Sequence, residues 1–316
     1  MELPAKIVNL DGTLNEELIL DKEPIYKGMN GRMVERFYLR ANESYIFKPL
    51  TNDGQLGKEV WIHEHVLTHF PAIFPKILSY SISDAPERNW MILEDLGPLV
   101  HDFREDTALG VVKWVAWWHS LPLENVGDMP RAGLKPQFQE LIMEIRRRKD
   151  EFLQLGPGIE SDRIEYIYSL LDRVIFSEKR VLSHGDLHAG NFAVVKGRIM
   201  ILDWEHTHIN LPYWDLYHLL DMSHPLYSKK MTAPLREVIL SAYLDQVEFE
   251  VDREAFFKEY YLLAAVFSIW MILLIQKDLQ GNGGKWSAVQ LHAQLEETVS
   301  SLRQCAEALW NGNVKS

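Results

Sequence analysis

Asp186, Asn191 and Asp203 are side chains that can hold metal ions and move a proton. Asp186 and Asn191 are five positions apart in Ser183-His184-Gly185-Asp186-Leu187-His188-Ala189-Gly190-Asn191, and Asp203 follows in Ile201-Leu202-Asp203-Trp204-Glu205. Carboxylate and amide oxygens are hard donors. They suit magnesium, which keeps several of its waters. A carboxylate within reach of a hydroxyl can take its proton. Two carboxylates and an amide can together supply a base and the ligands of two magnesium ions. Phosphoryl transfer needs that equipment, because it depends on charge neutralisation and alignment more than on covalent help.

The elements that must position these groups are legible nearby. Phe192-Ala193-Val194-Val195 and Arg198-Ile199-Met200-Ile201-Leu202 are apolar runs on either side of Lys196-Gly197, which predicts a hairpin. The hairpin brings Asn191 at its start and Asp203 at its end to the same edge.

His184, Asp186, Leu187 and Asn191 fall at the offsets of the protein-kinase pattern H-R-D-L-x-x-x-N, with Gly185 in place of the Arg. Asp203 falls where the Asp of D-F-G would be. The H-G-D-L-H-x-G-N and I-L-D-W-E pair resembles the aminoglycoside phosphotransferase and choline kinase superfamily. The resemblance runs from about Pro24 to beyond Asp221. It implies a protein-kinase-like fold, ATP or GTP as donor, Mg2+, and a hydroxyl of a small molecule as acceptor. By this resemblance Asp186 is the catalytic base, and Asn191 and Asp203 hold the metal. Lys48, at the end of the apolar run Tyr45-Ile46-Phe47, contacts the α- and β-phosphates. Its expected partner is Glu59, with Glu64 as the competitor. Glu94 and Leu96, in the crossing segment Leu93-Glu94-Asp95-Leu96-Gly97, would meet the adenine ring through main-chain groups.

The remaining residues have two readings each. Gly28-Met29-Asn30-Gly31 is either a phosphate-covering turn, with Gly31 near the nucleotide, or a common hairpin turn. His184 is expected to support the loop. His188 faces the nucleotide or substrate, or packs the loop. Glu205 reaches metal or substrate, or makes a structural ion pair. Asp215, in Pro212-Tyr213-Trp214-Asp215-Leu216, is a helix cap or a brace under the loop.

A strand-rich stretch precedes long helical patterns. Met33–Arg40, Ser44–Pro49, Lys76–Ser83 and Trp90–Glu94 read as strands, with Lys58–Phe70 helical. After them Thr107–Ser120, Pro136–Gln154, Ser161–Ser177, Arg236–Val247, Arg253–Lys277 and Lys285–Trp310 read as helices. The expected fold class is α+β and bilobal. Residues 1–95 form the expected nucleotide-binding lobe, and residues 96–316 a helical lobe with the catalytic loop and substrate site.

Composition bounds the partners. The net charge of −12 disfavours nucleic acid and suits a cationic acceptor such as an amino sugar, an aminoglycoside or a choline-like amine. Arg146-Arg147-Arg148-Lys149 reads as a solvated helix face. One cysteine, Cys305, and a start without a basic, apolar leader fit a cytoplasmic protein with no signal peptide. The apolar run Tyr260–Ile275 is short for a membrane span and reads as a buried helix. The ten tryptophans suggest an aromatic cage for a cation. Trp114 and Trp118, however, share a helix stripe with Val111 and Val115, which favours core packing.

Other chemistries fit less well. Asn9-Leu10-Asp11-Gly12-Thr13-Leu14 resembles the loop of haloacid-dehalogenase-like phosphatases, but Asn9 stands where the nucleophilic Asp is required. Gly185-Asp186-Leu187-His188 resembles a metallophosphoesterase motif without its downstream histidine ligands. The alternative of another class is a catalytically inactive, kinase-like binding protein of the spore-coat kind.

Overall fold

The computed structural model describes residues 3–314 except 29–30, 51–56, 128, 130–135, 157 and 282–285. The chain forms two compact units. One comprises Met1–Val100 with Ala193–Glu205, the other His101–Phe192 with His206–Ser316.

The first unit is built on an antiparallel sheet of five strands in the order β1-β2-β3-β5-β4. The strands are β1 (Asp21–Lys27), β2 (Met33–Arg40), β3 (Glu43–Pro49), β4 (Ile77–Ser81) and β5 (Trp90–Glu94). Val34 and Phe37 of β2 are both buried. Three positions apart, they lie on opposite faces of the strand, and Phe37 is the one that joins the core formed with Phe47. Phe37, Phe47 and Ile92 pack with Ile7 and Leu14 in one core, and Leu50, Met91 and Leu93 form another. β1 is exposed along its whole length. Having no buried stripe, it gives no strand signal in the sequence. The helix α1 (Lys58–His65) is shorter than its pattern predicts and passes into a single 3-10 turn over Leu67–His69. The hairpin of β7 (Phe192–Val195) and β8 (Arg198–Ile201) is present. Its turn residues Lys196 and Gly197 have φ of 48° and 76°, the left-handed pair that a tight hairpin wants.

The Asn9–Leu14 segment is a local turn. Asp11 Oδ1 accepts from the Thr13 N–H at 3.0 Å and the Thr13 hydroxyl at 2.6 Å, and Val8 bridges Leu14.

The second unit is helical. Its helices are α2 (Glu105–His119), α3 (Phe138–Arg147), α4 (Lys149–Gln154), α5 (Ser161–Leu170), α6 (Tyr213–Leu220), α7 (Ala233–Leu244), α8 (Arg253–Gln280) and α9 (Ala288–Val314). The short strands β6 (Val181–Ser183) and β9 (His208–Asn210) pair antiparallel. Thr232 and Asp252 cap α7 and α8 through the N–H groups of Leu235 and Ala255, a role typical of these residue types.

The expected helix over 136–154 breaks at Arg148, and that over 161–177 stops at Leu170. The basic run at the break is laced by ion pairs, Arg146 to Asp172, Arg147 to Glu144, Arg148 to Glu151 and Lys149 to Glu165. α8 is long and apolar enough to cross a membrane by composition, but 67% of its most apolar window is buried inside the protein. It is therefore a core helix. Trp118 is fully buried, with Val111 and Val115 on its stripe.

A buried ion pair ties the late helices together. Arg236 donates through Nε and Nη2 to Asp221, the latter at 2.6 Å. Ser301 and Tyr260 also donate to Asp221. Such pairs give little net stability against an apolar replacement, but losing one partner leaves an uncompensated buried charge.

Candidate active site

In the first unit, β3 delivers a buried lysine. Lys48 Nζ donates to Glu59 Oε2 at 2.7 Å and to Asp203 Oδ1 at 2.6 Å. Glu59 comes from the first turn of α1. Glu64 instead accepts from the Tyr80 hydroxyl at 2.7 Å, in an exposed position. Asp203 follows β8 with a φ of 60°, a left-handed conformation uncommon for a residue with a side chain. Glu59, Asp203 and Glu205 each offer an oxygen, and these lie within 4.8 Å of one another.

Burial acts against the Lys48 charge, but Asp203 and Glu59 outweigh it and raise the lysine well above its ordinary value. Burial pushes the Glu59 carboxyl up, and Asp203 and Glu205 add to the effect against the pull of Lys48. Three carboxylates around one direct ammonium partner leave negative charge that a cation would relieve. An all-oxygen donor set fits a hard divalent ion such as Mg2+.

The other nucleotide-side candidates are placed as follows. Gly31 has a φ of 83° in the turn between β1 and β2. Its N–H is spent on the Gly28 carbonyl at 3.0 Å, while Met29 and Asn30 lie outside the described residues. Glu94 is tied to Lys76 by its main-chain N–H and by its carboxylate, both at 3.0 Å. Leu96 packs against Ala193, Val195 and Met200 of the hairpin. Between them, Asp95 accepts from Arg36 at 2.6 Å, Ser44 at 2.7 Å and the Gly97 N–H at 2.9 Å. It fixes the crossing segment.

In the second unit, the loop Ser183–Asn191 leaves β6 over a carboxylate platform. The fully buried Asp215, in the first turn of α6, accepts five hydrogen bonds. They come from Ser183 Oγ (2.6 Å), the His184 N–H (2.9 Å), the Gly185 N–H (3.0 Å), His119 Nε2 (3.1 Å) and Trp118 Nε1 (3.2 Å). Burial would raise its pKa. The hydrogen bonds of His119 and Ser183 and the imidazoles of His119 and His184 win, and hold it well below the usual carboxylate range. Asn191 Nδ2 donates to the Asp186 carbonyl at 2.8 Å, which leaves its amide oxygen as the end to offer a cation. Asp186 is half-buried, and its Oδ2 lies 3.7 Å from His188 Nε2 and 4.0 Å from His206 Nε2. His184 is fully buried, and its Nδ1 accepts from the Asp186 N–H at 3.3 Å. His188 accepts from the Gly190 N–H at 2.9 Å and stacks on His224 at 4.6 Å between centroids. The loop thus presents a carboxylate suited to accept a proton, on a backbone fixed from beneath.

The model of a phosphotransferase enzyme family matches residues 90–257, more than half of the chain, and the match takes in Asp186, Asn191, Asp203 and Asp215. The chain belongs to the phosphotransferase enzyme family. Solved structures similar to this phosphotransferase include a choline kinase from Cryptosporidium parvum Iowa II, 17% identical with a TM-score of 0.57, covering 95% of this chain and 92% of that one. A second is the GDP and kanamycin complex of APH(2")-IIia, 14% identical with a TM-score of 0.59, covering 89% and 94%. A third is choline kinase LicA from Streptococcus pneumoniae, 20% identical with a TM-score of 0.55, covering 90% and 93%. At these identities the likeness establishes the fold, protein-kinase-like and α+β, as the sequence leads one to expect. No curated protein matches the sequence.

The glycine of the phosphotransferase loop has a geometric reason. Gly185 has a φ of 84°, and a Cβ there would lie 2.1 Å from the His206 carbonyl oxygen. Backbone cannot yield as a flexible side chain can, and the φ itself is strained for any other residue. Gly185→Ala is therefore expected to destabilise this phosphotransferase by about 3 kcal/mol or more, measured by urea unfolding. A loss below about 1 kcal/mol would show that the loop relaxes freely.

Three residues at these sites carry no signal in the sequence reading. His206, His119 and Asp95 come from separate elements, and their roles arise only when the chain is folded.

Proposed function

We propose that this phosphotransferase transfers the γ-phosphoryl group of ATP or GTP, with Mg2+, to a hydroxyl of a small molecule. The observation that carries the reading is Lys48, held at 2.7 Å by Glu59 and at 2.6 Å by Asp203. A buried lysine held between two carboxylates is positioned to contact the phosphates of a nucleotide. Asp203 and Asn191 would hold the metal, which supplies charge neutralisation on the phosphates when bound. Asp186 would orient the acceptor hydroxyl and take its proton. The main chain of Glu94 and Leu96 would meet the base of the nucleotide, with residues 1–95 as the nucleotide-binding lobe and 96–316 bearing the acceptor site.

The net charge of −12 favours a cationic acceptor. Choline kinases and a kanamycin complex among the similar structures support that class. A single, buried cysteine is in keeping with a cytoplasmic setting.

The test is a thermal shift with ATP or GTP, with and without Mg2+, beside Asp203→Asn. Asparagine tolerates the left-handed backbone at this position, so the variant removes charge without adding strain. Saturating ligand at a hundredfold its Kd should stabilise the wild type by about 2.7 kcal/mol. The magnesium-dependent part should vanish in the variant. No nucleotide effect in the wild type would overturn the reading in favour of an inactive binding protein.

A further inference from the structure

Lys58 opens α1, one residue before Glu59. Its ammonium nitrogen is buried, with less than 1 Å² accessible, and has no hydrogen-bond partner among the described residues. The helix it opens starts at Gly57 without a side-chain cap. A helix start offers N–H groups that have no intrahelical partner, together with the positive end of the helix dipole. Glu205, a member of the carboxylate cluster, acts on the Lys58 charge through space, while burial disfavours that charge.

An ammonium withdrawn from water without a partner is costly to keep. Lysine has a long, flexible stem and normally carries its head to solvent. The Lys58 side chain is half-buried with its head out of water. At the start of α1, one residue before Glu59 and in the field of Glu205, it is in place for an anion that arrives later. Oxygen-rich phosphate is the anion that such groups take best.

We propose that Lys58 is a second phosphate-binding lysine of the nucleotide site, pairing through its ammonium with a phosphate oxygen of the bound nucleotide. This rests on the reading that the first unit binds a nucleoside triphosphate. Lys48 would then meet the phosphates from the strand, and Lys58 from the start of the helix. Two cations from two elements fix the orientation of a phosphate chain better than one, and alignment is what phosphoryl transfer needs most.

The experiment measures Kd for the triphosphate with Mg2+, using whichever of ATP and GTP the wild type binds, and Kd for the matching nucleoside. It does so in the wild type, Lys58→Met and Lys58→Arg, together with the Tm of each protein alone. The expected result has three parts. Lys58→Met weakens triphosphate binding by about tenfold or more, the size of one charge-assisted hydrogen bond. Nucleoside affinity is unchanged, and the Tm without ligand is equal to the wild type or higher, because an unpartnered buried charge has gone. Lys58→Arg recovers part of the triphosphate affinity.

Triphosphate binding within about twofold of wild type in Lys58→Met would overturn the proposal. So would a lowered Tm with equal losses for triphosphate and nucleoside, which would make Lys58 structural. A wild type that binds neither nucleotide would overturn the functional reading itself, and the proposal with it.

Discussion

Asp186→Asn is expected to lower turnover by about 10²–10⁴-fold while nucleotide affinity and Tm stay near wild type. The amide has the shape of the carboxylate it replaces, so no cavity opens. The loop backbone is held independently of that carboxylate, by Asn191 on the Asp186 carbonyl and by Asp215 on the His184 and Gly185 N–H groups. What disappears is a proton acceptor, and a loss confined to the transition state lowers kcat with little change in KM. Steady-state kinetics on an acceptor found by screening amino sugars and choline-like amines decides the matter. Turnover within about tenfold of wild type would remove Asp186 from the role of base.

Asp215→Ala should be among the most destabilising single changes in the second unit, by about 3–5 kcal/mol. Five donors converge on this carboxylate. Its removal strands them where water does not reach. The pH dependence follows from the depressed pKa. In the unfolded chain the group titrates near 4, and in the folded protein well below that. The stability it contributes is fully present above the unfolded value and is lost as pH falls through the folded one. Urea unfolding at about pH 7 and about pH 3.5 should show part of the wild-type acid loss missing in Asp215→Ala. Parallel losses in the two proteins would mean that Asp215 is not ionised in the native state.

The site was legible where it is local. The Ser183–Asn191 loop and the hairpin after it lie on one short stretch, and the spacing of Asp186, Asn191 and Asp203 can be read directly from the sequence. The Lys48 pair was half legible. A lysine at a strand end can be seen, but the choice between Glu59 and Glu64 depends on which side of α1 faces the sheet. The eight-residue helix has too little apolar contrast to show it. Asp215 was placed near the loop by its motif. Its partners Trp118 and His119, by contrast, sit almost a hundred residues earlier on α2. No periodicity reports such a meeting.

The same reason hid Lys58. Next to Glu59 on a helix start it looks like an ordinary surface cation, and only tertiary burial sets it apart. The helices α3 and α5 end at Arg147 and Leu170, short of what the sequence pattern predicts, because the apolar period runs on past the point where the chain turns.

The first unit is discontinuous in the chain, and this bears on how the protein can be made. Its five-stranded sheet is encoded before residue 100, yet Ala193–Glu205 belongs to the same unit. That late hairpin supplies Asp203 to Lys48 and an N–H from Ile201 to the Ile73 carbonyl at 2.6 Å. At a synthesis rate of about 5–20 residues per second, the unit waits some seconds for its last piece. Over that interval Lys48 has Glu59 but not Asp203, and Leu96 lacks Ala193, Val195 and Met200 to pack against. A gene fragment stopping at the crossing segment would keep the five strands and lose Asp203, the second carboxylate on Lys48. Dissection of this enzyme into lobes therefore has to follow the fold rather than the reading frame.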